Sequence, residues 1–423
     1  MLEGSNVACV DTSTLPHFHT STLPHFLQQH KTCLSEVTMA QLDEREISNA
    51  PANSEAFSID RQLLATDLAR MTDLAILKLS LSLKSVILTT SSFSHLLRVA
   101  SSRPELQQLN QIGVGLQGAV FEQVGKPLAL KKETPGNEKL PSNHYHEYKI
   151  HCNVSAAFEH YQSINREVRV PRPFEFISRK QNDAFWDGIL PKTPQDYRMR
   201  GDLVMMERIL PLPKVLRRAL ISLFCVPEYH DRTEIETILN QPANKHCLAR
   251  VYLGKANGNI DHDLPLRNIP LYLAPMERIG IETLHLAYPM GKAYATLHWG
   301  AAINGDDVEF VPGTSATAAQ GTDHAPDLQY RAVQLYLLDF GQCEAVDLAQ
   351  DPDVVYQAFK GAMVTGDNQS FIPHYSSSPA LFATFRQGYI EAGNIILAEK
   401  KLQNKFNMED FMQEYEEYVE DFL

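Results

Sequence analysis

The sequence predicts an α+β fold in two lobes, one β-rich and amino-terminal, the other mainly helical and carboxy-terminal, behind an amino-terminal extension. Three observations carry that prediction. Over residues 108–132, short apolar runs of strand type alternate with turns. Gly113-Val-Gly-Leu-Gln-Gly-Ala-Val120 forms the first turn and Leu128-Ala-Leu-Lys131 lies in the third run. After residue 210, apolar residues recur mainly at helical spacing. The chain has 423 residues, 44% of them hydrophobic, enough for one large two-lobed unit.

Taken in order, residues 1–55 read as a flexible segment. They hold a direct repeat, Ser-Thr-Leu-Pro-His-Phe at 13–18 and 21–26, too short and too few for a repeat fold. His17, His19, His25 and His30 gather there, as a polar tail or a metal-binding tract. Residues 56–105 read as a helical extension, because Leu63, Leu64, Leu68, Met71, Leu74 and Leu77 keep helical spacing. The alternation of Leu77, Leu79, Leu81 and Leu83 leaves a strand open there. The β-rich lobe spans 106–210. Beyond 132 it continues with a loop over 135–142 and a helix over 144–161. An edge-like extended stretch over 168–177 then carries Pro171 and Pro173. A surface insert is expected over 182–200 and a short strand over 203–209.

The helical lobe spans 211–423. Helices are expected over 214–223, 233–240, 243–253, 270–278 and 282–299. A mobile loop over 312–326, rich in Gly, Thr, Ala and Asp, precedes a buried strand over 330–338. Helices over 379–400 and 408–422 close the chain. In the last, Phe411, Tyr415, Tyr418 and Phe422 form a docking stripe, with acidic residues on the other faces.

A net charge of −13 excludes a broadly basic, non-specific nucleic-acid binder and leaves room for a local basic groove. Lys214, Arg217 and Arg218 make the clearest basic cluster, with Arg250, Arg267 and Arg278 scattered. They read as a solvated face or as a small site for a phosphate backbone. The six cysteines show no C-x-x-C spacing, so free thiols are expected and a zinc site of paired cysteines is not. Leu74 to Leu88 is too short, and too interrupted by Lys78 and Lys84, to span a bilayer. No secretory signal opens the sequence, so a cytoplasmic protein is expected.

The glycine turn is where chemistry enters. Gly113, Gly115 and Gly118 let backbone N–H groups approach a phosphate, because glycine has no Cβ to clash. The segment matches the protein-kinase pattern G-x-G-x-x-G-x-V, and it runs on into strands, whereas a dinucleotide-binding loop opens into a helix. Ala129-x-Lys131 matches the lysine that pairs with phosphates and with a glutamate on the next helix. Glu147 is placed to be that glutamate, and Glu207 to stand at the hinge between lobes. Asp339-Phe-Gly341 ends an apolar run, where a kinase holds Mg²⁺. The plain alternative is a glycine turn in a β-hairpin.

The catalytic loop breaks the pattern. Aligning Asp307 with the kinase's metal-binding Asn puts Ala302 at the base, and alanine accepts no proton. Asp306, Asp307 and Glu309 follow. If 307–311 is extended, Asp307 and Glu309 share a face. These carboxylates read as a solvated turn, as a metal site with Asp339, or as a site for a cationic group or a base. His298 and Trp299 read first as packing.

With Met205-Met-Glu-Arg-Ile209, Leu266-Arg-Asn-Ile-Pro-Leu271, Met290-Gly-x-Ala-x-Ala-x-Leu-His-Trp299 and Asp307-Val-Glu-Phe310, these motifs resemble a fungal family of kinase-like proteins. That family is often labelled zinc-finger, although this chain has no zinc-finger spacing, and it includes the arginine-containing cyclodipeptide synthases. The resemblance covers roughly 105–400. It implies a bilobal protein-kinase-like fold and a tRNA-dependent acyltransferase. Such an enzyme joins arginine from arginyl-tRNA to an amino acid from a second aminoacyl-tRNA as a diketopiperazine. It implies Asp306, Asp307 and Glu309 as catalytic residues. Gly113, Gly115, Gly118, Lys131, Glu147, His298 and Asp339 would contact substrate or phosphate. Neither metal nor other cofactor is expected, and neither DNA nor a membrane is an expected partner. The second reading is a non-catalytic, pseudokinase-like binding protein.

Overall fold

In a computed structural model the described residues are 61–68, 70–81, 85–90, 99, 103, 107–115, 117–124, 126–134, 143–225, 232–258, 266–317 and 328–422. The chain divides after Ala50 into two units; the first, with its repeat and histidines, lies outside the described residues.

The second unit mixes helices and sheets. Strand β1 (Arg61–Leu64), helices α1 (Ala65–Leu68) and α2 (Asp73–Ser80), and strand β2 (Ser85–Thr90) open it. The segment expected to be helical therefore also supplies strands. Thr72 caps α2 by accepting from the Ala75 N–H, which places Leu77 and Leu79 on a helix. The run Ser85-Val-Ile-Leu-Thr-Thr is strand chemistry.

Strands β3 (Leu109–Val114), β4 (Gly118–Gln123) and β5 (Leu128–Glu133) form a meander. Helix α3 (His144–His160), β6 (Val168–Arg169), β7 (Pro173–Ile177), helix α4 (Asp183–Ile189) and β8 (Leu203–Glu207) follow. One antiparallel sheet has the order β3-β4-β5-β8-β7. Pro173 begins its edge strand, where a missing N–H costs least. The expected insert at 182–200 contains α4, with Phe185, Trp186 and Ile189 buried and Trp186 donating to the Ser178 carbonyl at 3.1 Å. Its charged residues mask that apolar face in the sequence.

Helix α5 (Lys214–Leu220) and α6 (Arg232–Asn240) follow the expectation. The helices expected over 243–253 and 270–278 are corrected. Strand β9 (Ala249–Tyr252) pairs in parallel with β10 (Ile269–Tyr272), and α7 occupies only Leu273–Arg278. All four β10 residues are buried, so a continuous apolar run carried no strand period to read.

Helix α8 (Leu284–Ala295) widens into a π turn over Thr296–Gly300. Strand β11 (Glu309–Thr317) pairs antiparallel with β12 (Leu328–Leu338). Residues 312–317 are thus strand rather than loop, and 318–327 lie outside the described residues. Gly313 allows this, because a Cβ there would strike the Ile209 side chain. A second sheet has the order β1-β2-β12-β11, with β6 also on β12.

Helices α9 (Pro352–Met363), α10 (Asn368–Phe371), α11 (Pro379–Glu399) and α12 (Met408–Phe422) complete the chain. Helices α8 and α11 cross at two glycines. A Cβ on Gly291 would overlap the Phe385 carbonyl, and one on Gly388 the Tyr288 carbonyl. Phe411 and Tyr415 of α12 are buried as the stripe requires, against a core that holds Trp299 and Tyr389. Among the described residues no helix is long and apolar enough to cross a membrane.

Candidate functional site

Lys131 leaves the sheet on the face covered by α3. Its Nζ lies 2.6 Å from Glu147 Oε1 and 3.2 Å from Asp339 Oδ1. Burial works against its charge, but Asp339 and Glu147 outweigh burial and hold it above the usual lysine range. Asn143, just before α3, donates to the Gly341 carbonyl at 2.9 Å, and Gln117 of the glycine turn does so at 3.4 Å. His146 donates to the Cys343 carbonyl at 2.8 Å. The glycine turn, α3 and the segment after Asp339 therefore converge on one place.

The glycines differ. Gly115 N–H closes on the Gly118 carbonyl at 2.8 Å. A Cβ at Gly118 would stand 2.6 Å from the Lys132 carbonyl, so the fold itself demands glycine there. At Gly115 a Cβ meets nothing nearer than 3.9 Å, and at Gly113 nothing nearer than 3.4 Å. Packing does not require glycine at those two positions, which leaves open backbone on that side of the turn.

The β11–β12 register sets Glu309 opposite Leu338, so Asp307 and Asp339 sit at the same end of the hairpin. Asp307 and Asp339 have φ of 56° and 65°, in the left-handed region. Asp307 is therefore not extended, and the alternation that was to align it with Glu309 does not apply. Asp307 Oδ2 accepts from Gln342 Nε2 at 2.6 Å and Oδ1 from the Asp367 N–H at 3.4 Å. Burial raises its pKa, with Asp339 and Asp367 adding, against the two hydrogen bonds. Asp306 is tied down away from this pair: Oδ1 accepts from Thr365 at 2.7 Å and its carbonyl from the Cys343 thiol.

Glu309 is 13% exposed and touches Arg250 Nη2; Arg250 Nη1 also reaches Asp367 Oδ2 at 3.1 Å. Burial pushes Glu309 up to about 7; Asp339, Asp367 and Asp307 add to that, while the Arg250 guanidinium pulls the other way. The site thus sets Lys131 and Arg250 against Glu147, Asp307, Glu309, Asp339 and Asp367. The acid exceeds the base, so the site favours a further cation. Among the described residues no group of three or more His, Cys, Asp or Glu side chains could hold a metal ion.

Two expectations are corrected. His298 is fully buried and stacked on Phe359, and burial lowers its pKa to about 3. Neutral, it satisfies a closed chain: Nε2 donates to the Asn304 carbonyl, Nδ1 takes the Tyr389 hydroxyl, and Tyr389 accepts from Trp299. It cannot touch a substrate. The Lys214, Arg217 and Arg218 cluster is not a phosphate surface. Lys214 pairs with Glu236 at 3.2 Å, Arg218 with Asp73 at 3.6 Å, and Arg217 donates to the Leu212 and Asn244 carbonyls.

Sequence reasoning missed Asp367 and Gln342, and saw Arg250 only as scattered charge. No local motif marks them, because β9, α10 and the segment after Asp339 meet only in the fold. No family model and no curated protein matches this sequence, so only the residues themselves bear on what the cleft does.

Proposed function

We propose that the chain has a protein-kinase-like bilobal fold put to use as a tRNA-dependent, arginine-containing cyclodipeptide synthase. One observation carries this reading. Glu309 and Asp367 already hold a guanidinium, that of Arg250, and Asp307 stands beside them, as does Asp339, one oxygen of which meets Lys131. Ala302 supplies no base for phosphoryl transfer, and aminoacyl esters, being activated already, need no phosphoryl transfer from a nucleotide.

In the reaction, the amine of one aminoacyl group attacks the ester carbonyl of the other. A C–N bond forms, the C–O bond to the tRNA breaks, and the ribose oxygen leaves with a proton. The second amine then closes the ring on the remaining ester. Glu309, with a pKa raised to about 7, suits accepting the proton of the attacking amine near neutral pH. Asp307 and Asp339 suit the incoming arginyl guanidinium. Incubation with arginyl-tRNA and the other aminoacyl-tRNAs, read by mass spectrometry, tests this. An arginine diketopiperazine is expected, and its absence with every partner overturns the reading.

The second reading is a non-catalytic, pseudokinase-like binder, favoured by the Lys131–Glu147–Asp339 assembly. A rise in melting temperature with ATP and Mg²⁺, together with no diketopiperazine, would select it.

A further inference from the structure

The chain is acidic, yet one end of its cleft is basic. In the β4–β5 register Val120 faces Lys131 and Glu122 faces Ala129, so all four side chains share the sheet face that looks onto α3. Glu122 is buried there against Arg208, which follows β8 and is itself 8% exposed. His246 Nε2 approaches the same carboxylate at 3.7 Å. Arg267 reaches over from just before β10 to the Gln111 carbonyl of β3 at 3.5 Å. Arg217 and Lys245 add charge: with Arg208 and Arg267 they press on His246, which burial and these cations keep neutral. Arg208 and His246 therefore meet one carboxylate, and Arg217, Lys245 and Arg267 crowd the same histidine. Arg208 Nε, His246 Nδ1 and Arg267 Nε are all buried and find no acceptor among the described residues. A buried donor without an acceptor carries the full cost of lost hydration, and two such guanidinium donors, beside an imidazole nitrogen that a proton drawn in by an anion turns into a third, are a binding site for an oxyanion.

We propose that Arg208, His246 and Arg267 form a site for a phosphate oxyanion at the β8 end of the cleft. The geometry fits the shared chemistry of a nucleic-acid phosphodiester and a free phosphate. Guanidinium groups fork onto phosphate oxygens, and the surrounding charge focuses the field within a protein of net charge −13. The site stands independently of the cyclodipeptide reading, because it calls for phosphate binding and not for acyl transfer.

The test uses the full chain, without aminoacyl-tRNA. Inorganic phosphate is titrated by calorimetry, and a short single-stranded oligoribonucleotide by fluorescence anisotropy, for wild type, Arg267→Gln and His246→Gln. We expect stoichiometric binding that weakens as salt rises, and a loss of about tenfold or more in Arg267→Gln with cooperative melting retained. Competition between the two probes identifies a site that free phosphate fills. Binding of the oligoribonucleotide alone identifies a backbone contact. If Arg267→Gln fails to fold, His246→Gln carries the same criterion. Absence of binding by both probes, or binding that the folded variants leave unchanged, overturns the proposal.

Discussion

At the scale of the residue, Glu309 is the group whose setting departs furthest from its chemistry in water. An ordinary glutamate titrates near 4.5, whereas burial among Asp339, Asp367 and Asp307 takes this one to about 7 despite Arg250. The folded-state value is raised, so the stabilising form is the protonated one. The contribution of Glu309 is full below about 4.5 and is lost as pH rises to about 7. Denaturant melts across that window should show wild type losing stability relative to Glu309→Gln. A parallel pair of curves contradicts the assignment. Much of this site was legible residue by residue. Lys131, Glu147 and Asp339 could be placed together because the kinase pattern fixes the order of strand, helix and strand that brings them there. Arg250 and Asp367 could not, since their partnership depends on β9 meeting the start of α10, a long-range contact that no local period announces. His298 was legible as packing from its neighbour Trp299, and only the resemblance assigned it a substrate.

Elements show the same division. Strongly periodic segments such as α8, α11 and α12 emerge from spacing alone. Strands β9 and β10 do not, because a run buried on both faces has no alternation. Nor does α4, whose buried Phe185, Trp186 and Ile189 are interleaved with exposed Asp183, Asp187 and Gly188. Glycine sharpens the point. Gly291 and Gly388 let α8 and α11 approach backbone to backbone, so Gly291→Ala must push the helices apart, costing about 3 kcal/mol. Gly188, on the exposed face of α4, has nothing within 4 Å of an added Cβ. Gly188→Ala should stabilise by about 0.5–1 kcal/mol through helix propensity. Chemical denaturation of the two variants reads both signs, and equal effects would contradict the packing described.

At the scale of the molecule, charge is organised by place and not by total. An acidic chain keeps a carboxylate-rich cleft around Asp307 and Asp339 and a basic pocket around Arg208. It also holds four histidines that must stay neutral. Burial lowers His144, His151 and His246 to about 4 and His298 to about 3. A folded value below the ordinary 6.5 means that stability is full above 6.5 and drains as pH falls toward 4. Unfolding then takes up a proton at each histidine. Four histidines outweigh the opposite slope of Glu309 in that range. Melting temperature should therefore drop steadily between about 6.5 and 4, and a flat profile would contradict the burial of these rings.

The central claim is that a scaffold resembling a kinase, lacking a base at Ala302, joins activated amino acids through Glu309. The most direct measurement is diketopiperazine formation from arginyl-tRNA and a second aminoacyl-tRNA, by mass spectrometry, for wild type and Glu309→Gln across pH. Wild type is predicted to yield an arginine diketopiperazine at a rate that climbs as pH passes about 7, where Glu309 loses its proton, and Glu309→Gln to be at least about a hundredfold slower. No product with every partner, or product formed equally well by Glu309→Gln, would contradict it.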